Sequence, residues 1–514
     1  MLKFTTCVII FLMLINSVQA SMNTYNDSLQ TDGYIISSSV EAQTISELTV
    51  NSKYNYNIQT AVNACPADTT IFCRVVVPAG TYAGNISIQR SNISVIGYGA
   101  KIVYPENISE YFAFSNSNNA SGYNQMYSTA FYDNVEISGL EIDGKGNTLS
   151  PKPLNCTAFT SDVLKLIPIQ IYNTNRSFIT NNYIHNFYGS FAIVDRTNPN
   201  YDPIINKYAY IYGNLIKDAG GIPDVVDSCN QIAGGIYSTI ADTYIEDNTV
   251  ENYVGTCLDI DATSGWMSRN TCNNVLFNGI GIYAVATGYN TGQLNILDNI
   301  FINTSSGFGD CLACPTSNVK IKGNIFLDRD PFGNNYAIST GGNKSTISEN
   351  MINWTEGAIK VTGDTGCATC GIGNASVNNN YILDGGDYGI FVAGEANIRN
   401  NYIKNSSVGI ELNGTYSYPR GAITGNTIFS GGNSVYAYNV PASIIIQVIE
   451  NYVNQNISTY GTSKLYNANN FGSHPFFFGY NKPATASNGD SYFNQTSENM
   501  KYYNGSAWRT LNVS

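Results

Sequence analysis

The sequence predicts an all-β solenoid, in which short strands wind into stacked coils. An asparagine followed by any residue and then an apolar one recurs every 21 to 34 residues, and such a period is typical of solenoid repeats. Between these asparagines lie short runs that alternate apolar and polar residues, which is the period of a strand. Composition agrees: charged residues are only 12% of 514, while Gly (47) and Tyr (38) are abundant, unlike a charged helical protein.

The repeating asparagines mark one corner of each predicted coil. If coils stack at the strand spacing of about 4.8 Å, each asparagine amide meets the same amide above and below. One strand cannot bury its apolar face alone, whereas stacked coils bury a continuous core. A β-sandwich with many loops is the alternative, but it does not account for eleven such anchors. The anchors are Asn182, Asn214, Asn248, Asn270, Asn299, Asn324, Asn350, Asn380, Asn401, Asn426 and Asn451.

Four segments near the N-terminus carry a family resemblance. They are Ile58–Cys65 (IQTAVNAC), Val75–Tyr82 (VVVPAGTY), Ile93–Ala100 (ISVIGYGA) and Ile137–Gly144 (ISGLEIDG). They resemble the right-handed parallel β-helix superfamily, the pectin lyase-like fold of pectate lyases, polygalacturonases and phage tailspikes. The resemblance covers roughly residues 56 to 455 and implies that fold. It implies no single activity, because the superfamily hosts unrelated functions.

The sequence divides into four predicted regions: a signal peptide at 1–20, an N-terminal extension at 21–55, the β-helix at 56–455 and a small β module at 456–514. Lys3, the apolar run Val8–Ile15 and the small residue Ala20 have the pattern of a secretory signal peptide. The apolar run is too short to span a bilayer, which needs about 20 residues. We therefore expect a secreted, extracellular chain without a membrane span.

The C-terminal region breaks the repeat. Gly489–Phe493 and Met500–Trp508 predict a β-hairpin, and the segment resembles a short element of phage tail-fibre and other virion proteins. That resemblance implies a place on a virion surface, as part of a virion or as a tailspike-like homotrimer. A small β-cap over the open end of the solenoid is the other interpretation, and both can hold together.

The net charge excludes some classes of partner, and the cysteine content favours an oxidising, extracellular compartment. The net charge of −12 gives no general attraction to nucleic acid or to an anionic membrane. Ten of the 11 Cys follow the signal peptide, an even number that suits disulfides in an exported chain. A zinc site is the alternative for the two C-x-x-C pairs. The disulfide candidates are Cys65, Cys73, Cys311, Cys314, Cys367 and Cys370.

Seventeen N-x-[S/T] sequons predict surface glycosylation in an exported chain. Many sequons arise by chance in a sequence this rich in Asn, Ser and Thr. Among them are the sequons that begin at Asn85, Asn92, Asn107, Asn303, Asn353, Asn374, Asn405 and Asn413.

Three aspartates are the candidate catalytic residues. Counting thirteen residues from the anchors Asn182 and Asn248 gives Asp195 and Asp261, which places both in one column of side chains, two coils or roughly 10 Å apart. Asp259 lies two residues before Asp261 and shares its face. An acid and a base at such a separation suit an inverting glycosidase. Binding of Ca²⁺ or another cation and plain surface exposure are the alternatives; no metal ligand and no cofactor are assigned.

Aromatic side chains offer a second kind of site on the same strand face. Exposed rings beside amides suit sugars, by apolar stacking and hydrogen bonding, and cover by loops or a partner subunit is the alternative. The candidate carbohydrate-binding residues are Tyr237, Tyr283, Phe391, Tyr436 and Tyr438.

Three functions stay open at this point. The first is a secreted glycan-binding surface protein, resembling a viral tailspike or receptor-binding protein, with a cell-surface polysaccharide or glycoprotein as partner. The second is a secreted polysaccharide-degrading glycosidase or lyase, although the superfamily's Gly-His-Gly and Arg-x-Lys patterns are missing. The third is a structural coat or cell-surface glycoprotein. The two histidines, His185 and His474, lie outside any such pattern, and His185 is expected in a turn.

Overall fold

The chain divides into two units, Met1–Thr44 and Ile45–Ser514, and the strands and helices described here lie in the second. The computed structural model describes residues 44–104, 112–116, 130–148, 167–188, 191–196, 208–220, 234–239, 242–260, 264–282, 293–310, 318–327, 336–340, 343–362, 374–415, 419–441, 443–461, 463–472, 491–494, 499–503 and 508–510. Among the residues described, neither helix has the length and apolar character of a membrane-spanning segment.

Parallel strands dominate the part of the chain described. Forty of them join in one network, arranged as three stacks that we call the first, second and third sheets, in the order in which each coil visits them. The predicted fold class, an all-β parallel β-helix, is confirmed.

The first sheet contains Ile45–Thr49, Phe72–Val77, Arg176–Thr180, Tyr208–Tyr212, Asp242–Glu246, Ser264–Ser268, Gln293–Leu297, Asn318–Lys322, Asn343–Ser348, Asn374–Asn378, Glu395–Arg399, Ala422–Thr424, Ile445–Ile449 and Lys464–Ala468. The second contains Gly80–Ala83, Tyr183–Tyr188, Leu215–Gly220, Thr249–Val254, Ile325–Leu327, Met351–Asn353, Tyr381–Asp384, Thr427–Ser430, Tyr452–Val453 and Phe471–Gly472.

The third sheet contains Ile86–Ser87, Phe114–Ser115, Ile169–Tyr172, Ile193–Arg196, Gly234–Ser238, Thr256–Ile260, Tyr336–Thr340, Gly357–Thr362, Gly386–Ala393, Val435–Tyr438 and Ile457–Tyr460. Five longer strands bend from one sheet into the next. Two join the first sheet to the second, Ile93–Val103 and Val135–Thr148, and three join the second to the third, Thr271–Ile282, Ile300–Asp310 and Tyr402–Asn413.

Two short helices precede the second strand of the first sheet. A 3-10 turn spans Ser52–Tyr54, and an α-helix spans Ile58–Asn63. Asn57 caps the α-helix, because its side chain accepts a hydrogen bond from the backbone N–H of Thr60. Its buried residues, among them Ile58 and Val62, pack into the same core as the first coils.

The anchor asparagines form the predicted ladder at the corner between the first and second sheets. Each side-chain Nδ2 donates to the Oδ1 of the next asparagine at 2.8 to 3.0 Å. The same Oδ1 also accepts the backbone N–H of the preceding anchor, as Asn380 Oδ1 does from Asn350 N–H at 3.1 Å. The residue before each anchor has a positive φ, as at Glu349 (57°), so the chain turns sharply there.

The ladder runs further than the eleven expected anchors. Asn470 accepts from Asn451 Nδ2 at 2.8 Å, and the coils extend from Ile45 to Gly472. The expected β-helix limits of 56 and 455 are therefore too narrow in the structure. The repeat pattern does not include Asn470, because Phe-Gly follows it and the pattern requires an apolar residue at the second position after the asparagine.

The interior of the coils is a continuous apolar core. Its members include the in-register column Ile179, Ile211, Ile245, Met267 and Ile296, all 0% exposed. Such a column leaves alternate residues of each strand facing outward.

A separate antiparallel sheet lies near the C-terminus. It has three strands, Ser491–Asn494, Asn499–Tyr503 and Trp508–Thr510. The first two form the predicted hairpin, and the third adds a strand to it.

Candidate functional site

The outward positions of the third sheet form one continuous row. Register pairs each member with the equivalent residue of the next coil, so neighbours lie about 4.8 Å apart. The row is Val194, Tyr237, Asp259, Gly281, Gly309, Ser339, Lys360, Phe391, Glu411, Tyr436 and Ser458.

Asp195 does not belong to this row, which corrects the expected column. It pairs with Ser238, which pairs with Ile260, and it is 0% exposed inside the coil, where it accepts a hydrogen bond from Ser177. Asp195 comes thirteen residues after its anchor, Asn182. Its register equivalent Ile260 comes only twelve residues after its own anchor, Asn248. One extra residue before the third sheet reverses which face a side chain takes, so Asp195 and Asp259 point to opposite faces.

Tyr237 and Asp259 are neighbours in the outward row but are covered. Each is 8% exposed, and Tyr237 stacks on Phe191 with ring centroids 5.0 Å apart. The guanidinium of Arg196 lies 5.7 Å from the centre of the Tyr237 ring. Tyr237 is therefore part of a small apolar cluster, which corresponds to the covered alternative of the sequence analysis and not to the exposed one.

The other end of the row forms the site that we call the Glu411 face, made of Lys360, Phe391, Glu411, Tyr436 and Tyr438. Lys360, Phe391, Glu411 and Tyr436 follow one another in successive coils. The sequence-predicted Phe391, Tyr436 and Tyr438 are thus brought together, around an acid that the sequence analysis did not single out.

Aromatic rings surround the acid of the Glu411 face. Tyr388 contacts Phe391 edge-on with centroids 5.5 Å apart, and Tyr336 contacts the same ring at 6.2 Å. Tyr436 lies 6.1 Å from Tyr438. These distances are those of interacting aromatic pairs, so the rings hold one another in place.

The open edge of the face is a stacked pair. The rings of Tyr438 and Tyr460 are 5.1 Å apart and inclined by only 11°. Tyr460 is 56% exposed, whereas Phe391 and Glu411 are 8% and 6% exposed. Side-chain exposure therefore increases across the face, from the buried carboxyl group of Glu411 to the exposed ring of Tyr460.

Electrostatics at the face follow from burial. Burial raises the pKa of Glu411, and the amide of Asn413, whose Nδ2 donates to Glu411 Oε1 at 2.9 Å, opposes that rise. Burial also raises the pKa of Tyr336 and lowers that of Lys360, whose Nζ lies 5.4 Å from the Tyr336 ring centre. Each group is thereby shifted toward its neutral form, which suits contact with an uncharged polar ligand.

A second group of titratable side chains lies on the outward face of the second sheet. Among the described residues, Glu141, Asp143 and His185 are the one group with the spacing of a metal site. His185 lies on the strand Tyr183–Tyr188 and not in the expected turn, with Nε2 3.1 Å from Glu141 Oε1. Lys101 Nζ contacts Glu141 Oε1 at 2.9 Å and Asp143 Oδ2 at 2.7 Å. The ammonium thus supplies the positive charge between the carboxylates.

Cys65 pairs with Cys73, so two of the six disulfide candidates are confirmed. Cys257 pairs with Cys272 inside the core, although neither was among those six candidates. Several expected site residues lie outside the described residues: Asp261, Tyr283, Cys311, Cys314, Cys367 and Cys370.

Comparison with known proteins gives similar structures but no family assignment. No family model and no curated protein matches the chain.

Three of these structures illustrate the likeness. The surface adhesin PfbA of Streptococcus pneumoniae has 15% identity and a TM-score of 0.43, covering 91% of this chain and 100% of that one. The family 28 exopolygalacturonase of Yersinia enterocolitica has 12% identity and a TM-score of 0.40, covering 84% and 78%. A variant tailspike protein of E. coli bacteriophage HK620, in complex with a pentasaccharide, has 13% identity and a TM-score of 0.49, covering 81% and 74%.

Proposed function

We propose that the chain is a glycan-binding surface protein and that the Glu411 face is its binding site. The observation that carries the proposal is one carboxyl group, 6% exposed, between Phe391 and Tyr436 in a single row. Sugars combine apolar C–H faces with hydroxyl groups, so a site for them needs rings and a few placed polar groups.

Each part of the face has a role in this proposal. Glu411 forms the floor, and because burial raises its pKa, it has a proton to donate to a sugar hydroxyl over a wider pH range than an exposed glutamate has. Asn413 holds Oε1, so a ligand meets Oε2. The exposed ring of Tyr460, stacked on Tyr438, offers the apolar platform at the open edge.

The location belongs to the same proposal. The signal-peptide pattern at 1–20 and the virion-like segment at 456–514 support a secreted protein displayed on a virion surface. A cell-surface polysaccharide or glycoprotein is the partner that such a protein meets first.

An array of neutral and acidic oligosaccharides tests the proposal on the purified full chain. The double variant Tyr438→Ala/Tyr460→Ala removes the platform, and we expect binding to fall at least about tenfold, the equivalent of roughly 1.4 kcal/mol. The matched control is Tyr381→Ala/Tyr402→Ala, which removes a stacked pair with centroids 4.7 Å apart on the second sheet. Equal losses in both variants, or binding by neither wild type nor control when both are free of N-linked glycans, would rule out this site.

Polysaccharide cleavage is the second candidate, favoured by the raised pKa of Glu411, because a general acid must hold its proton near the working pH. Among the described residues, Asp387 is a carboxylate near the face, since its charge acts on Tyr336 and Tyr388, and we assign it the role of the base. Release of reducing ends by wild type, lost in Glu411→Gln, would establish cleavage. Glycan binding without any release of reducing ends would exclude cleavage and support the glycan-binding proposal.

A further inference from the structure

Asn413 lies directly beside the Glu411 face. It ends the strand Tyr402–Asn413, two residues after Glu411, so both side chains take the same side of the sheet. Register places it next to Tyr438, which is next to Tyr460. Asn413 also opens the sequon Asn413-Gly414-Thr415.

Two hydrogen bonds orient the amide of Asn413. The backbone N–H of Thr415 donates to Asn413 Oδ1 at 3.0 Å, and Asn413 Nδ2 donates to Glu411 Oε1 at 2.9 Å. The amide oxygen therefore faces the turn, and the amide nitrogen faces the acid. Thr415 is exposed and Asn413 half-buried, so the sequon lies in an accessible turn at the end of a strand.

We propose that Asn413 carries an N-linked glycan whose first sugar lies over the Glu411 face, so that glycosylation controls access to it. In the reaction, Asn413 Nδ2 forms a bond to the anomeric carbon of a lipid-pyrophosphate-linked oligosaccharide. The bond from that carbon to the phosphate oxygen breaks, the lipid pyrophosphate leaves and the amide loses one proton. The remaining amide N–H keeps its bond to Glu411. That this glycan regulates binding rests on the function proposed above.

Other sequons differ from Asn413 in what their amide nitrogen faces. Asn92 Nδ2 donates to the carbonyl of Thr69 at 2.7 Å, and its Oδ1 accepts from Asn134 at 2.6 Å. Asn405, on the same strand as Asn413, is exposed at the corner between the second and third sheets. A sugar on Asn405 would point away from the row that holds Glu411, so Asn405 is the natural control.

The test compares glycosylated and unglycosylated forms of the full chain. Wild type, Thr415→Ala and Ser407→Ala are secreted from cells that perform N-glycosylation. Thr415→Ala removes the Asn413 sequon and leaves Asn413 in place, and Ser407→Ala does the same for Asn405. Peptide mass spectrometry measures the fraction of Asn413 that carries a glycan. Nitration by tetranitromethane measures how accessible the rings of Tyr438 and Tyr460 are to solvent.

We expect Asn413 to be occupied in wild type and in Ser407→Ala, and nitration of Tyr438 and Tyr460 to rise several-fold in Thr415→Ala alone. Enzymatic removal of the glycan from folded wild type should raise nitration equally, which keeps the test valid if Thr415→Ala is secreted poorly. An unoccupied Asn413, or nitration that is the same with and without the glycan, overturns the inference. Neither readout uses a glycan ligand, so failure of the proposed binding function appears separately, in the array.

Discussion

The outward row of the third sheet pairs a tyrosine with an acid twice, and the two pairs have different surroundings. Toward the N-terminus, Tyr237 and Asp259 are register neighbours, and each is 8% exposed. Toward the C-terminus, Glu411 and Tyr436 are register neighbours; Glu411 is buried, but Tyr436 and Tyr438 are half-buried beside the exposed Tyr460. The same row with the same residue types therefore gives a covered cluster at one end and an open face at the other.

The difference lies in residues outside the row. Phe191 and Arg196 lie over Tyr237, and Ile167 and Tyr172 complete that apolar cluster. At the Glu411 face, Tyr438 stacks on Tyr460 beside the row, and the Tyr460 ring stays exposed at the edge. Register decides which side chains point outward, but packing from other segments decides which of them a ligand can reach.

The largest expected difference between the two ends is in stability. Tyr237→Ala removes a buried ring, and we expect the free energy of unfolding to fall by about 3–5 kcal/mol. Tyr438→Ala removes a half-buried ring and should cost only about 1 kcal/mol. Guanidinium unfolding followed by circular dichroism measures both, with wild type as the reference. Equal losses would mean that the two ends are packed alike.

Glycan affinity should respond in the opposite order. Glu411→Met keeps the length of the side chain but removes its hydrogen bonds. A hydrogen bond from a neutral group contributes roughly 0.5–1.5 kcal/mol, so we expect the affinity to fall about two- to tenfold. Asp259→Asn, at the covered end, should bind as wild type does. Titration calorimetry with an oligosaccharide selected on the array measures both, and a loss confined to Asp259→Asn would move the site to the other end.

The smallest expected effect is the pH dependence of stability that Glu411 contributes. Because burial raises its pKa in the folded chain, its contribution is fully present below the pKa of the unfolded chain. It is lost as pH rises through the folded pKa, with a slope of at most about 1.4 kcal/mol per pH unit for one proton. The difference in unfolding free energy between wild type and Glu411→Gln should therefore change across that window. A difference that is constant with pH would contradict the assignment.

The fold was predictable because its main determinant is local and repeated. Each anchor asparagine follows a left-handed corner residue and bonds to its equivalent in the next coil, so a three-residue pattern marks every coil. Asn470 escaped the pattern because Phe471 and Gly472 replace its usual followers, although its side chain makes the same bonds as the others.

The site was predictable only in part. Counting from anchors places a residue on the third sheet to within one position, and one position reverses its face, as Asp195 shows. Glu411 lies in the run Gly409–Leu412, which has the pattern of an apolar strand with one charged residue, so nothing in the run itself marks Glu411 as a site residue. Its significance comes from Phe391 and Tyr436, twenty and twenty-five residues away, which only the stacking of coils brings beside it.

Hydroxyl-radical footprinting of the full chain, with and without an oligosaccharide that binds on the array, tests most directly that the Glu411 face is the glycan site. We expect the oligosaccharide to protect Tyr436, Tyr438 and Tyr460 and to leave the labelling of Tyr237 unchanged. Protection absent from all three, with binding retained and protection found on another sheet, would contradict it.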